Sequence, residues 1–257
     1  MWLMRNLLRV LAVLVLLGTV TALSACDSGS KKTGPVVNVY AAASLKGAFT
    51  AIADQYKKDN PGADVQFNFA GSSSLVEQLT QGAKADVFAS ADANNMTKAA
   101  KAGLLAATPV NFASNTLVIV TRPGNPKQLN NFGDLAKPGL NVVVCAAQVP
   151  CGTATRKVEK IAGVELKPVS EETSVTDVLN KVTSGQADAG VVYQTDAQSA
   201  GDKVAKVDFP QAASAVNIYP IAVLKSTADN AAAQRFLDLV TGDSGRQTLA
   251  KFGFAKP

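Results

Sequence analysis

Histidine is absent from all 257 residues, and this closes several chemistries at once. A Ser-His-Asp hydrolase, an HExxH metalloprotease and a histidine-ligated zinc site each need an imidazole. No Gly-x-x-x-x-Gly-Lys phosphate loop occurs. The only Ser-x-x-Lys spacing, Ser28 to Lys31, falls in a Ser, Gly and Lys-rich stretch where nothing would hold the pair in geometry. Cysteine is scarce: besides Cys26 there are only Cys145 and Cys151, and a lone pair of thiols without histidine does not complete a metal site. Clusters of Lys and Arg interleaved with aromatics are missing too, so no nucleic-acid partner is expected. With catalysis short of candidates, binding becomes the leading class of function.

The charge balance supports this. The chain carries 25 basic and 20 acidic residues, a net charge of +5. Two of the basic residues, Arg5 and Arg9, precede an apolar run from Val10 to Ala25 that ends Leu23-Ser24-Ala25-Cys26. That run is shorter than the ~18 to 20 residues of a membrane-spanning helix and ends in small residues, the pattern of a secretion signal. The ending resembles a bacterial lipobox. The resemblance implies removal of residues 1–25 and a diacylglycerol on the Cys26 thiol, leaving 26–35 as a flexible lipidated tether. Without Arg5 and Arg9 the balance is 23 basic against 20 acidic, a net +3, and the remaining charges are read as scattered solvated faces.

About 222 residues remain from Pro35 onward, enough for one large domain or two lobes of about 100 each. Strands and amphipathic helices alternate along them, which predicts an α/β fold with largely parallel sheets. Leu45, Phe49, Ile52 and Tyr56 fall on one face of the first helix. Further strands are expected at 86–89, 117–121, 140–147, 189–193 and 218–224. Helices are expected at 94–102, 153–162, 175–184, 230–240 and 244–251.

Two junctions stand out, each running a short apolar strand into serine and then into a helix: Val36 to Ser44 before Leu45, and Val65 to Ser74 before Leu75. Such junctions offer hydroxyls and unpaired N–H groups at the positive end of a helix, a cradle for an anion. Taken singly, Ser44 and Ser72 are better read as ordinary N-caps worth about 1 kcal/mol of helix stability.

Six separated segments carry a wider likeness. Val39-Tyr40-Ala41-Ala42-Ala43-Ser44-Leu45, Phe69-Ala70-Gly71-Ser72-Ser73-Ser74-Leu75 and Ala85-Asp86-Val87-Phe88-Ala89-Ser90-Ala91-Asp92 resemble the periplasmic molybdate-binding proteins of ABC transporters. So do Val149-Pro150-Cys151-Gly152, Gly190-Val191-Val192-Tyr193 and Tyr219-Pro220-Ile221-Ala222-Val223. The resemblance implies a two-lobed, periplasmic-binding-protein-like receptor, each lobe a mostly parallel sheet flanked by helices. Two hinge crossovers near Asn115 and Asn217 would make 36–114 with 218–257 the first lobe and 115–217 the second. It also implies the ligand set: Ser44 and Ser72 each through a hydroxyl and a backbone N–H, Cys151 and Val175 through backbone N–H groups, Tyr193 through its phenol. Cys151 departs from the alanine usual there, which a backbone contact tolerates. Taken alone, Val175 is a core residue and Tyr193 a packing residue at a strand end. Lys46 and Arg156 lie near the junctions, where they either steer an anion or are simply solvated.

Cys145 and Cys151, six apart in a protein working outside the cytoplasm, are expected to be joined, with two free thiols as the alternative. So short a loop gives roughly 2 kcal/mol in the chain-entropy picture. The expectation is therefore a monomeric, extracytoplasmic receptor for molybdate or tungstate, anchored to the cell membrane by a lipid on Cys26. It delivers to a membrane permease and uses no cofactor. Another oxyanion such as sulfate is the alternative within the class, and a serine-dependent envelope hydrolase the alternative outside it.

Overall fold

A computed structural model describes residues 34–257. The expected signal peptide, the lipidation at Cys26 and the tether as far as Thr33 lie outside the described residues. Gly34 and Pro35, expected at the end of the tether, are bonded into the fold: the Gly34 N–H donates to the Gly62 carbonyl, and the Asp64 N–H to that of Pro35.

The chain builds two lobes, each on a five-stranded sheet. It begins with β1 (Val36–Ala42), a 3-10 turn (Ala43–Leu45), α1 (Lys46–Asp59), β2 (Asp64–Ala70), α2 (Ser72–Thr80), β3 (Val87–Ala89), α3 (Ala93–Lys101) and β4 (Val110–Asn115). It then crosses into β5 (Leu117–Thr121), β6 (Val142–Cys145), α4 (Pro150–Ala162), β7 (Ser170–Glu172), α5 (Val175–Thr183), β8 (Ala189–Tyr193), α6 (Gln194–Ala200) and β9 (Ala205–Val207). It returns through β10 (Asn217–Val223) and finishes with α7 (Asn230–Thr241) and α8 (Asp243–Lys251).

The two sheets repeat one plan. The first has strand order β2-β1-β3-β10-β4 and the second β7-β6-β8-β5-β9. Three parallel strands lead in each, and then one strand pairs antiparallel on both sides, β10 in the first and β5 in the second. Those two reversed strands are the ones entered directly after a crossing between the sheets. Asn115 at the end of β4 lies opposite Asn217 at the start of β10, so both crossings leave one edge side by side. Both asparagines belong to strands of the first sheet.

Period-two alternation decides which side chain enters which core. Val87 and Ala89 of β3 face the cluster under α1, α7 and α8, while Phe88 between them faces the cluster under α2 and α3. The predicted stripe on the first helix is buried throughout, with Phe49 and Tyr56 set edge-on against Phe236 at centroid distances of 6.0 and 5.7 Å. The second lobe has its own core around Val142 to Cys145 and Val191 to Tyr193.

Several boundaries move. The helices after the two serine-bearing junctions begin at Lys46 and Ser72, so Ser72 sits inside a first turn whose N-cap is Gly71. The helix expected from 153 starts at Pro150, because proline's missing N–H and fixed φ suit that position. Four elements were absent from the sequence-based expectation: β4, β7, β9 and α6.

Candidate functional site

The loops at the carboxyl ends of six strands converge on one small cavity between the lobes. Ala42, Ala43 and Ser44 follow β1, Gly71 and Ser72 follow β2, and Ala91 follows β3; opposite them stand Val149 to Cys151 after β6, Val175 after β7 and Tyr193 at the end of β8. Ligands of open α/β sheets sit at this edge, because helix starts cluster there. The cavity is very small, about 10 Å³, far below the ~300 to 1,000 Å³ typical of organic-ligand pockets. All five sequence-predicted residues, Ser44, Ser72, Cys151, Val175 and Tyr193, line it.

Three helices, α2, α4 and α5, aim their first turns at this cavity, and their leading N–H groups have no acceptor within their own helix. Ser72, Cys151 and Val175 stand in those first turns. Pro150 contributes no donor, so the first amide of α4 is that of Cys151. The positive ends of three helix dipoles therefore meet at one point, which favours negative charge there.

The Ser72 hydroxyl is set as a donor. Ser72 Oγ accepts the Ala91 N–H at 2.9 Å, which leaves its own proton for the cavity. Ser44 Oγ is 3.0 Å from Tyr219 Oη. Neither serine acts as an N-cap, since the helices they precede or open show no side-chain cap bond. The Tyr193 hydroxyl is buried and has no hydrogen-bond partner among the described residues. An orphaned buried phenol costs about 1 to 3 kcal/mol, and a ligand accepting its proton removes that cost. Burial pushes the Tyr193 phenol well up, with Tyr219, Asp92 and Asp196 adding to the rise, so it remains a donor.

The lining holds no Lys, Arg, Asp or Glu. Lys46 stands in the neighbouring clefts that share Ala43 with the site. Arg156 is engaged elsewhere, 3.0 Å from Glu159 and 2.7 Å from Glu171, and does not line the cavity. Behind Tyr193 the Asp196 carboxyl accepts the Tyr193 N–H at 3.0 Å, and burial pushes it up to about 7. Asp92, the N-cap of α3, is likewise raised by burial. No lysine or carboxylate lines this cavity with the two serines, while Ser44 also lines the neighbouring cleft that holds Lys46 and Asp196.

Cys145 and Cys151 are joined, with their Cα atoms 5.7 Å apart. The bond ties the end of β6 to the first turn of α4 and so fixes the loop that presents the Cys151 N–H. Gly152 completes this tight turn, since a Cβ there would lie 1.9 Å from the Ala146 carbonyl oxygen. Gly71 plays a different part. Its φ of −60° and ψ of 139° suit any residue, yet a Cβ would stand 2.1 Å from the Thr173 carbonyl oxygen of the other lobe. The two lobes thus meet backbone to side-chain-free backbone beside the site.

Sequence reasoning missed the residues that act behind the lining. Ala91 supplies the amide that orients Ser72, and Tyr219 contacts Ser44; their segments belonged to the quoted motifs, but only tertiary contact assigns them a role. Asn115 was singled out for its place at the crossing and not for its hydrogen bonds, which reach Thr195 Oγ1 at 2.8 Å and Tyr219 Oη at 3.5 Å.

Known proteins resemble this chain closely. It is 57% identical over 246 residues to the molybdate-binding protein ModA of Mycobacterium tuberculosis, covering 93% of this chain and 94% of the relative. The Escherichia coli protein of that name is 31% identical, with 85% of this chain and 88% of the relative covered. Among solved structures, the periplasmic molybdate-binding protein of Azotobacter vinelandii superposes with a TM-score of 0.75 at 25% identity, over 86% of this chain and 99% of that one. Residues 37–255 match the description of bacterial extracellular solute-binding proteins, and the chain belongs to that family.

Proposed function

We propose that this protein captures molybdate, and tungstate with it, outside the cytoplasm and hands it to the membrane permease of an ABC transporter, held at the membrane by a lipid on Cys26. Segments 36–115 with 217–257 form one lobe and 116–216 the other, and the two close on the anion. Ser44 and Ser72 each donate a hydroxyl proton and a backbone N–H to it, Tyr193 donates its phenolic proton, and Cys151 and Val175 donate backbone N–H groups.

The observation that carries this reading is the buried Tyr193 hydroxyl, without a partner among the described residues, lining the cavity into which three helix starts point. A tetrahedral dianion supplies the acceptors such a set lacks. The neutral cage has a physical logic: hydrogen bonds to a charged group contribute ~1.5 to 3 kcal/mol each, so six or seven give a gross term on the order of 10 to 20 kcal/mol. The costs of association and lobe closure leave about 8 to 12 kcal/mol, nanomolar to micromolar binding. The names of the relatives from Mycobacterium tuberculosis and Escherichia coli point to the same anion.

Binding to the folded state alone stabilises it. At a thousandfold excess over the dissociation constant, molybdate is expected to add about 4 kcal/mol to the unfolding free energy. Thermal melting with and without millimolar molybdate or tungstate checks this, and an unmoved midpoint with both anions overturns the assignment.

A further inference from the structure

We infer that Tyr219, held by Asn115, is a positioning residue that fixes Ser44 as a hydrogen-bond donor and thereby sets the selectivity of the site for fully deprotonated oxyanions. The inference rests on the anion-binding role proposed for Ser44.

The chain of donors runs one way. The Asn115 Oδ1 atom accepts the Thr116 N–H at 3.0 Å, which fixes the side-chain amide so that Nδ2 faces Thr195 Oγ1 and Tyr219 Oη. An amide nitrogen only donates. Tyr219 Oη therefore accepts from Asn115 at 3.5 Å, and we assign its own proton to Ser44 Oγ, 3.0 Å away, a pair in which the distance alone permits either direction. The Ser44 oxygen is then occupied as an acceptor, and its proton is left for the cavity. Burial pushes the Tyr219 phenol up, so the relay keeps its proton. Ser72 reaches the same state by a simpler route, through the Ala91 N–H.

Selectivity follows from this polarity. Hydrogen phosphate carries a proton that must find an acceptor when it is buried, whereas molybdate and sulfate at neutral pH carry none. A serine hydroxyl free to rotate could accept that proton, but one already accepting from Tyr219 points its own proton at the anion. Tyr219 is itself packed by Tyr193, Phe112 and Phe254, with ring centroids 6.1, 6.3 and 5.5 Å away. Tyr219→Phe keeps that packing and removes only the relay.

The test is a double-mutant cycle on the full secreted protein, read by calorimetric titration of sodium molybdate and by competition with inorganic phosphate. Tyr219→Phe is expected to weaken molybdate about tenfold. Ser44→Ala combined with Tyr219→Phe is expected to bind molybdate no more weakly than Ser44→Ala alone, because the tyrosine acts through the serine. Phosphate should compete better, relative to molybdate, in Tyr219→Phe than in the unchanged protein. A merely structural role would weaken both anions alike. Additive effects in the cycle, or an unchanged ratio of phosphate to molybdate, overturn the relay while molybdate binding by the unchanged protein leaves the receptor role standing. Absence of molybdate binding by the unchanged protein removes both. Asn115→Asp offers a second variant: its carboxylate no longer donates to Tyr219 Oη, and it should shift the ratio in the same direction. No such shift counts against the relay.

Discussion

Gly71→Ala is expected to abolish tight oxyanion binding while leaving the protein folded. The added methyl would sit 2.1 Å from the Thr173 carbonyl oxygen across the cleft, a distance no pair of atoms tolerates without movement. The three atoms nearest the methyl, two of Thr173 and one of Val149 at 3.5 Å, all lie across the cleft, and the Gly71 backbone is extended. The strain is relieved by keeping the lobes apart. An anion held by the first lobe alone then loses the donors of Cys151, Val175 and Tyr193. At ~1.5 to 3 kcal/mol each, even partial loss of the three corresponds to at least about a hundredfold in affinity. Circular dichroism and the unliganded melting midpoint should change little, while calorimetric affinity for molybdate collapses. Wild-type affinity in Gly71→Ala would show that the approach of the two backbones is not needed for binding.

The paired serine variant should have an effect of similar size. Ser44→Ala and Ser72→Ala are each expected to cost about 1.5 to 3 kcal/mol of molybdate affinity, the value of one hydrogen bond to a charged group. The two sites sit on separate loops with different partners, Tyr219 for one and Ala91 for the other. Because both donate to one anion their effects need not add, but the pair is expected to cost at least as much as either variant alone, up to about four orders of magnitude. Ser72→Ala carries an extra term, because it strips the buried Ala91 N–H of its acceptor and should also lower the unliganded melting midpoint. Equilibrium titration of the single and paired variants measures all three. Full binding by the paired variant would mean that the cage is built from other residues.

Much of this fold is legible in the sequence where burial is strong and periodic. β1, β5, β8 and β10 are runs of apolar residues, and α1, α4 and α5 show helical stripes, so their type follows from pattern. The segments that escaped are the polar or marginal ones. β7 reads Ser-Glu-Glu and β9 Ala-Lys-Val, three-residue edge strands that pair on one side only. α6 reads Gln-Thr-Asp-Ala-Gln-Ser-Ala and owes its place to packing near the crossing. β4 carries Asn111, Ser114 and Asn115, residues of low strand propensity that the pairing with β10 holds in register.

The site divides in the same way. The five lining residues come from local motifs, and one cavity gathers them. What local sequence does not reveal is polarity at a distance. Whether Ser72 donates or accepts depends on Ala91, 19 residues away, and the setting of Ser44 depends on Tyr219, 175 residues away. The crossing chain brings such partners together, and no periodicity records it. The closeness of Gly71 to Thr173 is of the same kind, since glycine before a helix is ordinarily read as a cap.

Competition between oxyanions tests the central claim most directly, because a donor-only cage makes a definite order of affinities. Titration calorimetry of the purified protein at neutral pH should show one molybdate bound per chain in the nanomolar to micromolar range, with tungstate, nearly the same size, within about tenfold. Sulfate shares the charge but has shorter bonds to oxygen, so its hydrogen bonds are stretched and its affinity should be lower by more than about a hundredfold. Phosphate, which keeps a proton that finds no acceptor in the lining, should give no measurable heat. Equal affinities for sulfate and molybdate, or tight binding of phosphate, would contradict a cage of hydroxyl and backbone donors set for the larger dianion.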